Sequence, residues 1–227
     1  MRLVYKFNIG NNEEISKLCK VSNNLYNQAL YVFRETLKNE SKWLSYFELD
    51  KILKDTKNLD GEINYRLLKA QCSQQILKLL DKNIKSYYKS VQDYKKHPNK
   101  YKEKPGLPKY RKRGSEFNMY YTNQNCKIKD GKIVLSKELS IDIPQYEKYS
   151  DLLENFKQIR ILPNHIGYRI EVIYEVEDVE IPKRKEEKIA SIDLGIDNLA
   201  TIVSEDFTII FLSLIHISEP TRRRGIS

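Results

Sequence analysis

No apolar run in this chain approaches the roughly 18–20 residues of a membrane-spanning helix, and the mean hydropathy is −0.62. The start, Met-Arg-Leu-Val-Tyr-Lys-Phe, has neither an apolar h-region nor a cleavage site, so a secreted protein is not expected. Cysteine is scarce. Cys19, Cys72 and Cys126 lie far apart with no paired spacing, which argues against a zinc knuckle or a disulfide framework and fits a reducing, cytoplasmic setting. What is present is a globular composition: 227 residues, 40% hydrophobic, 31% charged and 11% aromatic, enough for one large domain or two small ones.

The chain carries a formal charge of +9, and all of the excess is local. Thirteen basic residues fall between Lys78 and Arg113: Lys78, Lys82, Lys85, Lys89, Lys95, Lys96, Lys100, Lys102, Lys104, Lys109, Arg111, Lys112 and Arg113. Three acids, Asp81, Asp93 and Glu103, stand against them, and the remainder of the chain is balanced to within one charge. Charge of one sign repels itself unless a polyanion meets it. Tyr87, Tyr88, Tyr94, Tyr101, Tyr110, Tyr120 and Tyr121 are interleaved or follow soon after. Lysines neutralise phosphates while aromatic faces stack on unpaired bases, so the block predicts RNA or DNA as partner. A membrane surface is disfavoured, because the block lacks the Trp/Phe/Leu face of an interfacial helix. The bland alternative is a solvated helix face followed by a basic loop, with some of the tyrosines in the core.

Leu3–Ile9 alternates as a half-buried strand, and Asn11 and Asn12 cap a helical pattern running to about Lys38. A capping box, Ser45-Tyr-Phe-Glu48, opens a second helix. A third is expected over roughly Asn64–Lys96, with the stripe Leu77, Leu80, Ile84, Tyr87, Val91 and Tyr94 as a packing seam, ended by Pro98. Tyr101–Arg113, with Pro105, Gly106 and Pro108, is expected to be an extended loop. Short β-type runs follow at Met119–Thr122, Lys127–Ile128, Lys132–Leu135, Ser140–Ile143, Ile159–Pro163 and Tyr168–Val176. Together with the first strand they suggest an α+β protein, a small antiparallel β-barrel with an inserted helical bundle. Glu175–Lys188 is a charged linker, after which Ile189–Gly195 and Leu199–Val203 are apolar strands. Asp193 ends the first of these, where rigid backbone can hold a carboxylate toward Mg²⁺. By itself an apolar-Asp-x-Gly string also arises from turn chemistry. His97, His165 and His216 are isolated and are not expected to be ligands.

The order of motifs resembles the OrfB/TnpB family, proteins of bacterial insertion sequences classed as transposases. The matching pieces are Asn23–Gln28, the Gln-rich helix at Gln71–Leu80, Lys104–Arg111 and the box Asp193–Thr201 (Asp-Leu-Gly-Ile-Asp-Asn-Leu-Ala-Thr). The resemblance spans about Met1–Phe211. It implies a wedge-like barrel whose first strand is 1–10, a helical recognition insertion at 11–100, the rest of the barrel with its basic loop at 101–180, and the start of an RNase H-like (RuvC) nuclease domain at 188–211. It further implies DNA and a guide RNA as partners, Mg²⁺ as cofactor, and Asp193 as the first catalytic, metal-binding carboxylate, with Asp197 a turn residue. The family's second motif with a Glu, its Zn²⁺-binding Cys-x-x-Cys pairs and its third motif with an Asp have no counterpart in the sequence. An N-terminal fragment without cleavage activity is therefore expected, and a non-catalytic RNA/DNA-binding module is the alternative. Leu212–Arg222, LSLIHISEPTR, resembles the in-frame translation of a transposon-end adapter used in sequencing libraries, so 212–227 is expected to be an artefactual tail.

Overall fold

The computed structural model describes residues 1–177, 190–194, 198–204 and 208–212. The chain is α+β with antiparallel sheets throughout, and it divides into two compact units, Met1–Asp178 and Val179–Ser227.

The first unit opens with β1 (Arg2–Ile9), which half-buries Tyr5, Phe7 and Ile9 on one face and leaves Leu3 exposed. Helix α1 (Glu13–Glu40) starts where Asn12 Oδ1 accepts the Ile15 N–H at 3.0 Å, with Glu13 and Glu14 in the first turn facing the positive end of the helix dipole. Helix α2 (Tyr46–Leu53) begins with the expected capping box: the Ser45 N–H donates to Glu48 Oε2 at 2.9 Å, and the Glu48 N–H donates back to Ser45 Oγ at 3.4 Å.

The third helical segment is two helices, α3 (Asn64–Leu67) and α4 (Ala70–Lys96), separated by Leu68 and Lys69 in extended backbone. The break has a physical reason. Ser73 Oγ donates to the Tyr65 carbonyl at 2.8 Å, both residues buried. In one continuous helix residues eight apart would be about 12 Å apart along the axis. Tyr65 is fixed in turn by its hydroxyl, which donates to Asp50 Oδ1 at 2.6 Å. Helix α4 ends before Pro98, which starts a 3-10 turn (Pro98–Lys100).

The strands that follow are β2 (Met119–Thr122), β3 (Lys127–Lys129), β4 (Lys132–Val134), β5 (Ser140–Asp142), β6 (Phe156–Asn164) and β7 (Gly167–Glu175), with a short helix α5 (Tyr146–Leu153) before β6. No closed barrel forms among the described residues. One sheet has the order β1-β7-β6-β2 and the other β3-β4-β5. Strands β3 to β5 pair locally because tight turns join them. Asp130 and Gly131, both at positive φ, make the two-residue turn between Lys129 and Lys132. Four twisted strands are too few to close on themselves, so β1 and β2 remain edges. Helix α5 spans between the two sheets: Tyr149 packs on Tyr5 with ring centroids 4.7 Å apart, and the Tyr5 hydroxyl donates to the Pro144 carbonyl at 2.5 Å.

One apolar core runs through this unit, from Ile15, Leu25 and Phe33 of α1 across Leu77 and Leu80 of α4 to Ile159, Ile170 and Val172 of the sheet. Gly167, at φ +140, sits where β1 ends. A Cβ there would lie 2.3 Å from the Ile9 carbonyl oxygen, so only glycine fits.

The second unit is a three-stranded sheet of order β10-β9-β8, built from β8 (Ala190–Asp193), β9 (Asn198–Ser204) and β10 (Thr208–Leu212), with Ile192 opposite Ile202. Most of the charged linker, at 178–188, the residue at 189 and the tail beyond Leu212 lie outside the described residues. Among the described residues no helix is long and apolar enough to cross a membrane.

Candidate nucleic-acid interface

Helix α4 contains no glycine or proline and buries Ile76, Leu77, Leu80 and Ile84. The stripe predicted as a seam is therefore a seam, continued by half-buried Tyr87, Val91 and Tyr94. At 100° per residue, Lys78, Lys82, Lys85, Lys89 and Lys96 fall within a sector of about 60°, a row about 27 Å long. All five are exposed. Lys85 is paired with Asp81 at 2.6 Å, and Lys78 Nζ lies 5.3 Å from the Tyr46 ring centroid. Lys82, Lys89 and Lys95 have no ion pair among the described residues. Lys95 and Lys96 occupy the last turn, where cations suit the carbonyl end of the helix.

The remaining predicted residues, Lys100, Lys102, Lys104, Lys109, Arg111, Lys112 and Arg113, lie on the connection from the 3-10 turn to β2, and each is exposed. This connection is extended, as the prolines dictate, yet it is tied down at both ends. Near its start the Tyr101 hydroxyl donates to Asp93 Oδ2 at 2.8 Å, which holds that carboxyl below its usual range, and Tyr101 packs edge-on against Tyr94 at 5.7 Å. Lys100 stands 4.0 Å from the same carboxylate.

Near its end the loop runs along α1. Arg34 Nη2 donates to the Pro108 carbonyl at 2.5 Å, and its guanidinium lies 4.7 Å from the Tyr110 ring centroid. Asn27 bonds the Arg111 backbone reciprocally: its Nδ2 donates to the carbonyl at 2.9 Å, and its Oδ1 accepts the N–H at 2.8 Å. Asn23 Nδ2 donates to the Lys112 carbonyl at 3.0 Å. The three side chains sit on one face of α1, within about 40° of one another. Thus Asn23–Gln28 and Lys104–Arg111, separate marks of the resemblance in sequence, meet in space. Asn23, Asn27 and Arg34 were not singled out individually by sequence reasoning. The available signal was a pair of asparagines four apart inside an apolar helical pattern, where asparagine is a poor helix former.

The tyrosines divide differently from the even interleaving that the sequence suggests. Tyr121 is buried among Cys19, Cys72 and Cys126, and burial pushes its hydroxyl far above the usual range. Tyr87 and Tyr88 belong to an aromatic chain with Trp43 and Phe33, with successive centroids 5.0, 4.5 and 5.5 Å apart. Of the seven only Tyr110 is exposed, at 46%. The three cysteines are buried thiols, each pushed up to about 12 mainly by desolvation.

Asp193 is the last residue of β8, paired with Thr201 and exposed. Gly195 and Asp197 lie outside the described residues. Mg²⁺ takes about six oxygen ligands, and a single exposed carboxylate supplies one or two. Among the described residues no group of three or more His, Cys, Asp or Glu side chains comes together. Among the described residues, the donors around Asp193 do not by themselves fit a magnesium site.

Neither a protein-family model nor a curated protein matches this chain. Among solved structures, the fold is similar to a chain of the cryo-EM structure of the Cas12f1-sgRNA-target DNA complex, at 12% sequence identity and a TM-score of 0.37. The match takes in 96% of this chain and 58% of that one, so this chain spans less than two thirds of its length.

Proposed function

We propose that the chain binds RNA or DNA through the phosphate backbone, using the lysine row of α4 and the pinned loop as its contact surface. The observation that carries the reading is the exposure of all thirteen basic residues of the 78–113 block, twelve of them on one helix face and one tethered loop. Lysines at such spacing release counterions from a polyanion without reading its sequence. The finer proposal is that this surface belongs to a transposase of the OrfB/TnpB type, with a guide RNA and DNA as partners. It rests on the motif order, with Asp193 as the first of the carboxylates that such a nuclease would bring together around metal. For this chain the reading is binding without cleavage, and a non-catalytic RNA/DNA-binding module is the alternative.

The test is a salt titration of affinity for labelled RNA and DNA. Changing Lys109, Arg111, Lys112 and Arg113 together to alanine lowers the slope of log K against log[salt] by roughly 0.7–0.9 for each phosphate that is no longer neutralised. The wild-type chain with Mg²⁺ leaves the DNA uncut. An unchanged slope removes the loop from the interface, and cutting that Asp193→Ala abolishes overturns the non-catalytic reading.

A further inference from the structure

We infer that Arg111 is a preset fork for one phosphodiester group, and that Asn23 and Asn27 are the positioning residues that set it. The inference deepens the nucleic-acid reading above and rests on it. Most of the basic block consists of lysines on flexible stems, which meet phosphate as point charges. Arg111 differs in how much of it is already fixed. Its Nε donates to Asn23 Oδ1 at 3.2 Å, and its guanidinium carbon lies 4.0 Å from the Phe117 ring centroid. Both supports are rigid: Asn23 is fully buried and Phe117 is 6% exposed. The backbone of Arg111 is held on both its N–H and its carbonyl by Asn27.

With Nε engaged and one face on an aromatic ring, the donors left are those of the two terminal nitrogens. Neither has a hydrogen bond or ion pair among the described residues, although the residue is exposed. Two parallel N–H groups in a fixed plane match two oxygens of a phosphodiester. The fixation is in place before any ligand arrives, so binding orders little that is not ordered already. No acid lies between Glu103 and Glu116. Glu116 is committed elsewhere, its Oε1 accepting from Ser16 at 2.5 Å and from Tyr168 at 3.1 Å. The loop's other arginine, Arg113, has no such supports, and Arg34 spends a terminal nitrogen on the Pro108 carbonyl.

The experiment measures binding of the full chain to three labelled probes of one sequence: a 20-nucleotide RNA, the same strand as DNA, and its DNA duplex. Arg111→Ala weakens binding about tenfold, and Arg111→Lys nearly as much, because lysine keeps the charge and loses the fork and the ring contact. Lys112→Ala, a point-charge control, costs about threefold or less. Asn27→Ala weakens wild-type binding about threefold or more but adds nothing on top of Arg111→Ala, and Asn23→Ala behaves alike. Should Asn23→Ala fail to fold, the Asn27→Ala cycle decides. The probe that shows the full effect tells which backbone the fork takes. Lysine at 111 binding as well as arginine overturns the fork. Additive losses in the double variants make the asparagines merely structural and overturn their positioning role. A wild-type chain that binds none of the probes brings down the nucleic-acid reading and this one with it, whereas binding with an inert Arg111 brings down this one alone.

Discussion

Asn23 and Asn27 each cost a helix interior about 0.5 kcal/mol relative to alanine, and α1 carries both one turn apart. What they return is a side-chain amide, with a donor and an acceptor, aimed at a stretch of loop that has no strand to pair with. Residues of this kind look unfavourable locally and make sense only once their distant partner is known. Glu48 is the opposite case, legible from its local motif. The Ser45 N–H and then Lys42 hold its carboxyl well down, at about 2 against an ordinary 4.5. Its folded value lies below its unfolded one, so the stabilisation is fully present above about pH 4.5 and drains away as pH falls toward 2. Glu48→Gln keeps a hydrogen-bonding side chain at that position and removes the titration. Urea melts of wild type and variant therefore converge between pH 5 and pH 2, and curves that stay parallel contradict the assignment.

At the scale of elements, periodicity located β1, α1, α2 and most strands to within a residue or two, because each presents one apolar face to a single core. It did not find the break between α3 and α4, since Leu68 continues the apolar pattern and the reason for the break is a bond between Ser73 and Tyr65. Nor did it find α5, whose eight residues bury only Leu153 fully. The barrel expectation gave way for a related reason: a β-type pattern identifies strands but not which sheet they join, and local turns assigned β3, β4 and β5 to one another. The β6–β7 hairpin depends on Gly167 for its close approach to β1. Gly167→Ala, with a positive φ to sustain and a backbone oxygen in the way, destabilises by about 2–4 kcal/mol. Thermal or urea unfolding checks it, and a loss below about 0.5 kcal/mol would mean that the end of β1 can shift freely.

For the molecule as a whole, the proposed contact surface was legible as a charge block but not as a shape. The arithmetic of lysines and acids picks out 78–113, while the alignment of five lysines on α4 needs the helix, and the tethering of the loop needs α1 folded against it. Asp193 was legible as the end of a strand, and among the described residues no group of three or more His, Cys, Asp or Glu side chains comes together. The central claim is that polyanion binding belongs to the α4 row and the loop rather than to basic residues at large. Lysine acetylation with mass-spectrometric readout, with and without saturating RNA or DNA, tests it directly. The account predicts severalfold protection at Lys82, Lys89, Lys109 and Lys112, with exposed Lys6, Lys127 and Lys132 unchanged. Protection spread evenly over all seven, or confined to the last three, would contradict it.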